Sequence, residues 1–394
     1  MIQLELISKN KGLDIMLRHK AYSFRLYPNS AQASLINNTI GSSRFVYNYF
    51  LKLWIDAYEN TNERLNYYKC ASMLAELKRK DSHSWLKVVD SIALQTSLSF
   101  LSDAFDRFFK GQNGYPKTKR KAASKQSYTT KNVNNSIRIN DNTVRLPKLG
   151  WVKFAKSREV KGRIMNATIT KKPSGRYYIS ILAEVDIGIL PETGRSVGID
   201  LGISDFAILS DSSRYDNHRF AQKMAQKLKR EQRKLDKRKR MAKAKNIELH
   251  KAKNYQKQKI KVAKLHERVK HQRKDFLDKL STDIVKNHDV IAIENLNVKG
   301  MLRNKKLAKH ISDVSWSQFV AMLKYKAEWY GRTIIEVDPW YPSSQICSNC
   351  HENTGKKTLD IRTWTCPHCR VTHDRDINAS INILNEGLRI FSVA

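Results

Sequence analysis

The spacing of apolar residues predicts one strand, a long helical region and then a series of short strands in the first half of the chain. Residues 18–27 alternate apolar and polar side chains, as a strand does. Apolar residues then recur every three or four positions from residue 29 to about Gly111, which is helical spacing. Between Ser136 and Val185 the alternation returns in short segments that are separated by turn residues. We therefore predict a small antiparallel barrel or sheet into which the helical block is inserted.

The second half of the chain alternates strands with helices, which predicts an α/β layer. SVGIDLGISDFAILS, residues 196–210, predicts a hairpin of two half-buried strands with Asp200 at the end of the first. HDVIAIENLN, residues 288–297, predicts a fully buried central strand that ends at Glu294. A helix (WSQFVAMLKYKAEWYG), a strand (RTIIEVDP) and a cysteine-rich segment follow. The last helix is predicted to begin at Asp376 and to carry Ile377, Ile381 and Leu384 on one side.

A dense run of lysines and arginines over residues 219–274 keeps apolar residues at helical spacing. A break near residues 242–254 divides the run into two predicted basic helices. A solvated helix face is the ordinary explanation of such a run, but few acidic residues balance this charge, so we favour contact with nucleic acid. The residues that we expect to make this contact include Lys227, Arg230, Arg233, Lys237 and Arg240.

Composition indicates a polyanionic partner and excludes some classes of protein. The 394 residues contain 73 Lys and Arg against 37 Asp and Glu, and this net charge of +36 is far more than solubility requires. Nucleic acid is therefore the expected partner. We find no run of about 18 or more apolar residues and no signal peptide, so we expect no membrane contact and a cytoplasmic or nucleoid location.

Three carboxylates far apart in the sequence are predicted to converge. Asp200 and Glu294 end strands and Asp376 begins a helix that packs on them, so the three can meet at one edge of a sheet. Hard cations prefer oxygen ligands, and two Mg²⁺ (or Mn²⁺) ions about 3.5 to 4 Å apart can activate a water and stabilise the leaving oxygen of a phosphodiester. Because an isolated buried carboxylate is costly, three accidental ones are improbable. The ordered trio predicts a nuclease.

Each carboxylate also has a simpler explanation. Asp200 can cap a turn, Glu294 can end a strand, and Asp376 can cap a helix. ATPases of the sugar-kinase and chaperone type also use a glycine–aspartate–glycine hairpin, in their case to wrap phosphates. Residues ISD follow Gly202 where those proteins usually carry a Thr or Ser run, and we see no second glycine-rich phosphate loop, so this class is less favoured.

Four of the five cysteines have the spacing of a zinc site. CSNC holds Cys347 and Cys350, and CPHC holds Cys366 and Cys369 after fifteen intervening residues. Each pair offers two thiolates on one tight turn, which predicts a tetrahedral, mainly structural zinc site rather than a disulfide framework, a haem attachment or a thiol oxidoreductase motif. We expect the nearby histidines to lie around the site or in solvent, and Cys70 to lie in a core; the histidines are His351, His368 and His373.

Taken in order, several motifs resemble TnpB, the RNA-guided nuclease encoded by insertion sequences. They are YSFRLYPNSAQ and GSSRFVYNYFL near the start, VGIDLGI, IAIENLNVKGM, VDPWYPSSQICSNC and, at the end, CPHCRVTHDRDINASINIL. The resemblance spans nearly the whole chain, and the motifs together are highly specific. It implies that Asp200, Glu294 and Asp376 match the catalytic trio, and that Asp374, the other aspartate of DRDIN, caps the helix.

The resemblance to TnpB also implies a multidomain α+β fold. The implied domains are a β-barrel wedge domain (1–28 and 112–190), an inserted helical recognition domain (29–111), an RNase H-like (RuvC) α/β nuclease domain (191–345 and 373–394) and an inserted zinc ribbon that binds target nucleic acid (346–372). The implied partners are a guide RNA from the protein's own locus and double-stranded and single-stranded target DNA, which is cut beside a short flanking motif. A monomer in a bacterial or archaeal cell is favoured.

Three residues depart from the family pattern. His351 and Arg370 replace glycines that are usual after each cysteine pair, and Ser380 replaces an alanine that is usual in the last motif. We therefore expect a slightly different ribbon geometry. None of these changes removes a carboxylate.

Three functions remain compatible with the sequence. The favoured one is an RNA-guided DNA endonuclease; the others are a guide-free resolvase or transposase-type nuclease and a nuclease-inactive RNA-guided DNA-binding protein. The intact trio argues against the inactive protein. The long helical and barrel regions before Asp200 exceed what a simple resolvase needs.

Overall fold

The structure is a computed structural model that describes residues 8–10, 13–122, 125–304, 307–358 and 360–393. The chain divides into two compact units, a first unit of Leu17–Asp186 and a second unit built mainly of Ile187–Ala394. Residues 1–7 and 11–12 of the predicted wedge segment 1–28 lie outside the described residues. Within the described ranges, no helix is both long enough and apolar enough to cross a membrane.

An eight-stranded sheet lies mainly in the first unit. Its strands are β1 (Ser8–Asn10), β2 (Leu13–Tyr27), β3 (Ser127–Lys131), β4 (Arg138–Asn140), β5 (Thr143–Leu146), β6 (Gly150–Phe154), β7 (Arg163–Lys171) and β8 (Tyr177–Gly188). In the order β3-β7-β8-β2-β6-β5-β4, with β1 against β2, the first long strand lies between two strands that follow the helical block. The helical block is thus inserted into this sheet, as the sequence predicts. The assignment of the sheet as a wedge barrel stays a prediction.

The helical block consists of α1 (Ser30–Thr61), α2 (Tyr67–Arg79), a 3-10 helix (Asp81–Lys87) and α3 (Ser91–Phe109). Helix α1 begins at a capping box, in which the Asn29 and Gln32 side chains each accept a hydrogen bond from the other residue's backbone N–H. The Gln32 side chain also donates to the carbonyls of Leu149 and Trp151 at 3.2 and 2.9 Å, which fixes the start of the helix on the β5–β6 turn. Cys70 is fully buried in the core of this block, as predicted.

The second unit contains a five-stranded sheet with helices around it. The strands are β9 (Ser196–Asp200), β10 (Asp205–Leu209), β11 (Arg214–Asp216), β12 (Val290–Glu294) and β13 (Thr333–Val337), in the order β11-β10-β9-β12-β13. Strand β9 pairs antiparallel with β10 and parallel with β12, and β12 pairs parallel with β13. The remaining elements are α4 (Phe220–Ala244), α5 (Lys253–Asn287), α6 (Val298–Met301), α7 (Ala308–Val314), α8 (Trp316–Tyr330), the ribbon strands β14 (Thr363–Thr365) and β15 (Thr372–Asp374), and α9 (Arg375–Val393). The predicted α/β layer is confirmed.

Apolar side chains pack on both faces of the five-stranded sheet. One core joins the strands to α5 and α8 and includes Ile293 and Phe319, whereas a smaller one joins Ala292 of β12 to Ile383 of α9. The β9–β10 hairpin was expected to be half-buried, but residues 197–199 are all buried. That expectation is wrong because helices cover both faces of the sheet, so its central strands have no solvated side.

Helix α9 packs on the sheet at glycine positions. A Cβ atom on Gly198 would overlap the Ser380 carbonyl oxygen and lie 2.6 Å from the Leu384 nitrogen, and one on Gly387 would overlap the Cβ of Ala292. The predicted apolar side of α9 is only partly buried at Ile377, Ile381 and Leu384, whereas the buried residues are Asn378, Ala379, Ser380, Asn382, Ile383 and Gly387. The three residues do lie on one side of the helix, as predicted, but small residues such as Ala379, Ser380 and Gly387 are buried, since so close an approach of helix and strand requires small side chains.

Candidate active site and metal centre

Asp200 and Glu294 end adjacent parallel strands. The pairing of β9 with β12 aligns Ile199 with Ile293, so the next residue of each strand leaves the sheet at the same edge. Neighbouring strands lie about 4.8 Å apart, which brings the two carboxylate-bearing residues side by side. The Ser343 hydroxyl donates to Oε1 of Glu294 at 2.8 Å and orients this carboxylate. The structure thus brings together the two strand-end carboxylates that the sequence singled out.

Asp376 lies in the first turn of α9, and Asp374 caps that turn. Oδ1 of Asp374 accepts hydrogen bonds from the backbone N–H groups of Asp376 and Ile377 at 3.1 and 3.0 Å. Oδ2 of Asp374 forms an ion pair with Arg214 at 2.8 Å. Both oxygens of Asp374 are therefore occupied, whereas Asp376 acts electrostatically on Asp200.

The three carboxylates act on one another electrostatically, and Arg362 and Arg375 offset only part of this effect at Asp200. Burial, followed by the nearby Glu294 and Asp376 carboxylates, raises the pKa of Asp200 to about 8. Burial also raises the pKa of Glu294, against the effect of the hydrogen bond from Ser343. A bound divalent cation would reverse this repulsion, and buried carboxylate oxygens are the donors that Mg²⁺ and Mn²⁺ prefer.

The carboxylate oxygens are not gathered around a single point. Among the described residues, only the cysteine quartet brings three or more ligand atoms within 4.8 Å of one another.

Arg362, which the sequence analysis did not single out, also reaches the carboxylates. Its NH1 group lies 2.9 Å from Oδ2 of Asp376, and its NH2 group donates to Oγ of Ser204 at 3.2 Å. Its backbone carbonyl accepts a hydrogen bond from the N–H of Arg375 at 2.7 Å. No local motif marks this arginine, because only the folding of the segment between the cysteine pairs brings it to Asp376.

Two buried asparagines of α9 fix the segment that enters the cysteine-rich region. The side-chain amides of Asn378 and Asn382 both donate to the Ile346 carbonyl at 2.7 Å, and Asn382 also donates to the Ser343 carbonyl at 2.8 Å. The N–H of Ser348 returns a hydrogen bond to Oδ1 of Asn378 at 2.8 Å. The helix that supplies Asp376 therefore also positions the serine that contacts Glu294.

The four predicted cysteine ligands meet in the ribbon. The Sγ atoms of Cys347, Cys350, Cys366 and Cys369 all lie within 4.8 Å of one another. The backbone N–H of Val371 contributes most to lowering the pKa of Cys369, to about 6, which favours the thiolate that binds metal. Four thiolates from two tight turns form a donor set that fits a structural zinc ion.

The histidines of the ribbon lie where the sequence placed them. Nε2 of His373 is 3.1 Å from Sγ of Cys347, whereas His351 and His368 are exposed. His351 and Arg370, which replace the usual glycines, each have a φ of 62°. Both residues adopt the left-handed conformation that glycine favours. The two turns therefore have the backbone geometry of a glycine turn, and the residue that stands in place of glycine is strained.

The five predicted nucleic-acid contacts lie along one side of α4. All are exposed, and the buried Leu235 lies on the opposite side of the helix. Helix α4 ends at Ala244 and α5 begins at Lys253, which confirms the predicted break. The two helices are joined by hydrogen bonds from Gln258 to Glu231 at 2.8 Å and from Arg238 to the Asn254 carbonyl at 2.9 Å. Helix α4 presents a basic stripe to solvent, formed by Lys227, Arg230, Arg233, Lys237 and Arg240.

Three family models match parts of the chain. Residues 183–305 match a model described as "Probable transposase" from the OrfB family of IS605 elements, and residues 316–383 match one described as "Cas12f1-like, TNB domain". Residues 16–63 match a model described as "Helix-turn-helix domain". In this structure the last range consists of most of β2 and the single long helix α1.

Similar proteins extend over almost the whole chain. "Putative RNA-guided DNA endonuclease" of Streptomyces pristinaespiralis is 34% identical over 382 residues, which cover 94% of this chain and 89% of that protein. "Putative RNA-guided DNA endonuclease InsQ" of Escherichia coli K12 is 31% identical over 94% of this chain and 93% of its own length. A solved structure described as "Cryo-EM structure of the Cas12f1-sgRNA-target DNA complex" has a TM-score of 0.52 at 13% identity, covers 94% of this chain and 99% of that chain, and shows a shared fold.

Proposed function

The chain belongs to the TnpB family of RNA-guided DNA endonucleases, and from this membership we propose that it is an RNA-guided DNA endonuclease of an insertion sequence. In this proposal a guide RNA from the protein's own locus pairs with the target strand, and the protein reads a short flanking duplex motif. It acts in the cytoplasm of a bacterial or archaeal cell.

The observation that carries the proposal is that Asp200 and Glu294 end adjacent strands and that Asp376 lies close enough to act electrostatically on Asp200. Burial, followed by the nearby Glu294 and Asp376 carboxylates, raises the pKa of Asp200 to about 8. The three carboxylates would hold two Mg²⁺ or Mn²⁺ ions, which supply an activated water and stabilise the leaving oxygen of a phosphodiester. Ser343 holds Glu294 in place, and Arg362 adds a positive charge at the edge of the site that faces Asp376.

The other parts of the chain have supporting roles in the proposal. The four ribbon cysteines would bind zinc and so hold Arg362 against the nuclease site. The basic stripe of α4 would contact the phosphates of the guide RNA and its heteroduplex with DNA. We retain the division into a wedge domain (1–28 and 112–190), a helical recognition domain (29–111), a nuclease domain (191–345 and 373–394) and a zinc ribbon (346–372).

The experiment that tests the proposal compares cleavage of a plasmid by protein expressed with and without RNA from the downstream end of its own gene. We expect Mg²⁺-dependent cutting only with the RNA and only at a site that matches it. Sequence-indifferent cutting by the RNA-free protein would replace this proposal with the guide-free resolvase or transposase-type nuclease. Binding of the matched target without any cutting would favour the nuclease-inactive binding protein.

A pair of aspartate variants tests the assignment of the carboxylates. Asp200→Ala should abolish cleavage while it leaves RNA and target binding nearly unchanged, because phosphate contacts come from Lys and Arg. Asp211→Ala is the control, since Asp211 is exposed in the turn between β10 and β11, where it accepts a hydrogen bond from the N–H of Ser213. Cleavage by Asp200→Ala at the parental rate would show that Asp200 is not a metal ligand.

A further inference from the structure

Trp340 is the most exposed large hydrophobic side chain among the described residues. Its exposed fraction is 89%, whereas tryptophan is usually among the most buried residues on average. An indole in water leaves a large apolar surface unburied, and tryptophan, with its apolar ring and one polar N–H group, is enriched at surfaces that a partner covers.

The backbone around Trp340 is anchored on both sides. Oδ1 of Asp338 accepts a hydrogen bond from the N–H of Trp340 at 2.8 Å, and the Asp338 carbonyl accepts one from Tyr341 at 3.0 Å. Tyr341 packs against the small core of Ala292, Val337 and Ile383. The exposure of Trp340 is therefore a property of an ordered turn that projects its side chain into solvent.

The turn that carries Trp340 begins at the sheet edge where the candidate nuclease site lies. Val337, the last residue of β13, is paired in register with Glu294, and β12 and β13 are parallel. After Trp340 the chain returns to the site, because the Ser343 hydroxyl donates to Glu294 at 2.8 Å. The indole thus stands on a short segment with one end at the strand edge and the other bonded to a candidate metal ligand.

We propose that Trp340 is a substrate-contact residue that stacks on an unpaired nucleobase of the DNA strand that enters the carboxylate site. This inference rests on the proposed nuclease function. Every base has a flat apolar face, so a single aromatic side chain can hold a strand without reading its sequence. Bases are available for such stacking only where the strand is unpaired. A single aromatic ring does not attract the phosphates, but the net charge of +36 does.

A set of Trp340 variants tests the inference through cleavage. We expect Trp340→Ala to lower the single-turnover cleavage rate at saturating target by about tenfold, since one base–aromatic stack is lost. Trp340→Phe should remain within about twofold of the parent, whereas Trp340→Leu, which is apolar but not aromatic, should resemble Trp340→Ala. Target binding should be unchanged in all three, because base pairing with the guide supplies it. Trp151→Ala is the control, since Trp151 is also exposed, at 47%, but lies on β6 of the other sheet.

A fluorescence measurement tests stacking without cleavage. In the Asp200→Ala background, the full chain with its copurified RNA is titrated with a short single-stranded DNA that carries one 2-aminopurine between thymines. We expect quenching of 2-aminopurine that is lost on Trp340→Ala and retained on Trp340→Phe. Quenching that is unchanged by Trp340→Ala overturns the inference. Quenching by an RNA strand but not by the DNA strand overturns the assignment to the cut DNA strand.

The two proposals fail in different ways. If the parent protein cuts no DNA but quenches 2-aminopurine through Trp340, the nuclease function is wrong and the stacking inference stands. If the parent cuts its target and Trp340→Ala cuts at the same rate, the stacking inference is wrong and the nuclease function stands. In that second case a protein partner becomes the explanation for the exposed indole.

Discussion

The guanidinium group of Arg362 lies 2.9 Å from the Asp376 carboxylate, although fourteen positions and the second cysteine pair separate the two residues in the sequence. This ion pair connects the cysteine-rich ribbon directly to the candidate nuclease site. Because the Arg362 side chain is 53% exposed, solvent screens this pair, which contributes about 0.5–1 kcal/mol. The ribbon is therefore more than a separate structural module, because it supplies a cation to the carboxylates.

We expect Arg362→Ala to lower the rate of target cleavage by about twofold to fivefold without loss of RNA binding. The loss of about 0.5–1 kcal/mol corresponds to this range of rates. Arg362→Lys should keep the charge and recover only part of the rate, since it cannot contact both Asp376 and Ser204. Arg389→Ala is the control, because Arg389 pairs only with Glu386 on the exposed side of the same helix. Parental cleavage by Arg362→Ala would exclude a role for the ion pair.

Gly198→Ala should separate α9 from β9 and so disrupt the carboxylate site. The added methyl group would overlap the Ser380 carbonyl oxygen and lie 2.6 Å from the Leu384 nitrogen. Both are backbone atoms, so they cannot rotate away as a side chain can. We expect a loss of about 2 kcal/mol in the free energy of unfolding and strongly reduced cleavage. Gly41→Ala is the matched control, since nothing lies within 4 Å of its added Cβ, and alanine at this position in α1 should be neutral or stabilising. Equal melting temperatures of Gly198→Ala and the parent would contradict the close packing.

Local patterns were sufficient to predict the strand ends and the metal-ligand spacing. A carboxylate at the end of an apolar run marks a strand edge, and the parallel pairing of β9 with β12 then brings Asp200 beside Glu294. The four zinc ligands could be predicted from CSNC and CPHC because each tight turn presents two thiols. Both predictions depend on residues that are adjacent in sequence or on regular sheet geometry.

The parts of the site that sequence did not predict depend on long-range packing. The contact of Arg362 with Asp376 requires the ribbon to fold back on α9, which no periodicity encodes. The apolar pattern of α9 did not predict which of its residues are buried, because Gly198 admits the helix backbone itself and small residues such as Ala379 are then buried. Asn378 and Asn382 are buried because their side-chain amides donate hydrogen bonds to the Ile346 carbonyl. A hydrophobic pattern would instead place these polar residues in solvent.

The raised pKa of Asp200 predicts a pH-dependent stability of the metal-free protein. Its folded-state pKa is about 8, far above the value of about 4 for an unfolded aspartate, so the folded state retains a proton that the unfolded state releases. Stability should therefore fall as pH rises from about 4 to about 8. Asp200→Asn, which resembles the protonated form, should raise the melting temperature of the metal-free protein by about 5 °C at pH 8 and hardly at all at pH 4.

Millimolar Mg²⁺ should remove the advantage of Asp200→Asn at pH 8, because a cation stabilises the carboxylate and not the amide. Asp211→Asn, at an exposed position in the turn between β10 and β11, is the control for a general effect of charge. The measurement is thermal unfolding with chelator and with Mg²⁺ at both pH values. A melting difference that does not change with pH would mean that Asp200 is ionised in the metal-free protein.

Glycine at position 351 or 370 should stabilise the ribbon. His351 and Arg370 both have a φ of 62°, where a residue with a Cβ atom is strained by about 1 kcal/mol. We expect His351→Gly and Arg370→Gly each to slow the transfer of zinc to a chelator by about fivefold, which corresponds to that free energy. His368→Gly is the control, since His368 lies in the same ribbon without a positive φ. One zinc per chain should be found by elemental analysis in all three variants, and equal transfer rates would show that the strain does not affect the metal site.

Charge reversal on the basic stripe should weaken RNA binding in a salt-dependent way. Arg233, Lys237 and Arg240 are exposed on α4, so changing all three to glutamate should leave the packing of Leu235 and the melting temperature unaffected. Each lost phosphate contact removes the release of one counterion. The slope of the logarithm of the binding constant against the logarithm of salt concentration should therefore decrease by about two to three. Lys279→Glu is the control, because this exposed lysine of α5 already pairs with Asp275 and lies outside the stripe. A triple variant with the parental slope would show that the guide RNA binds elsewhere on the chain.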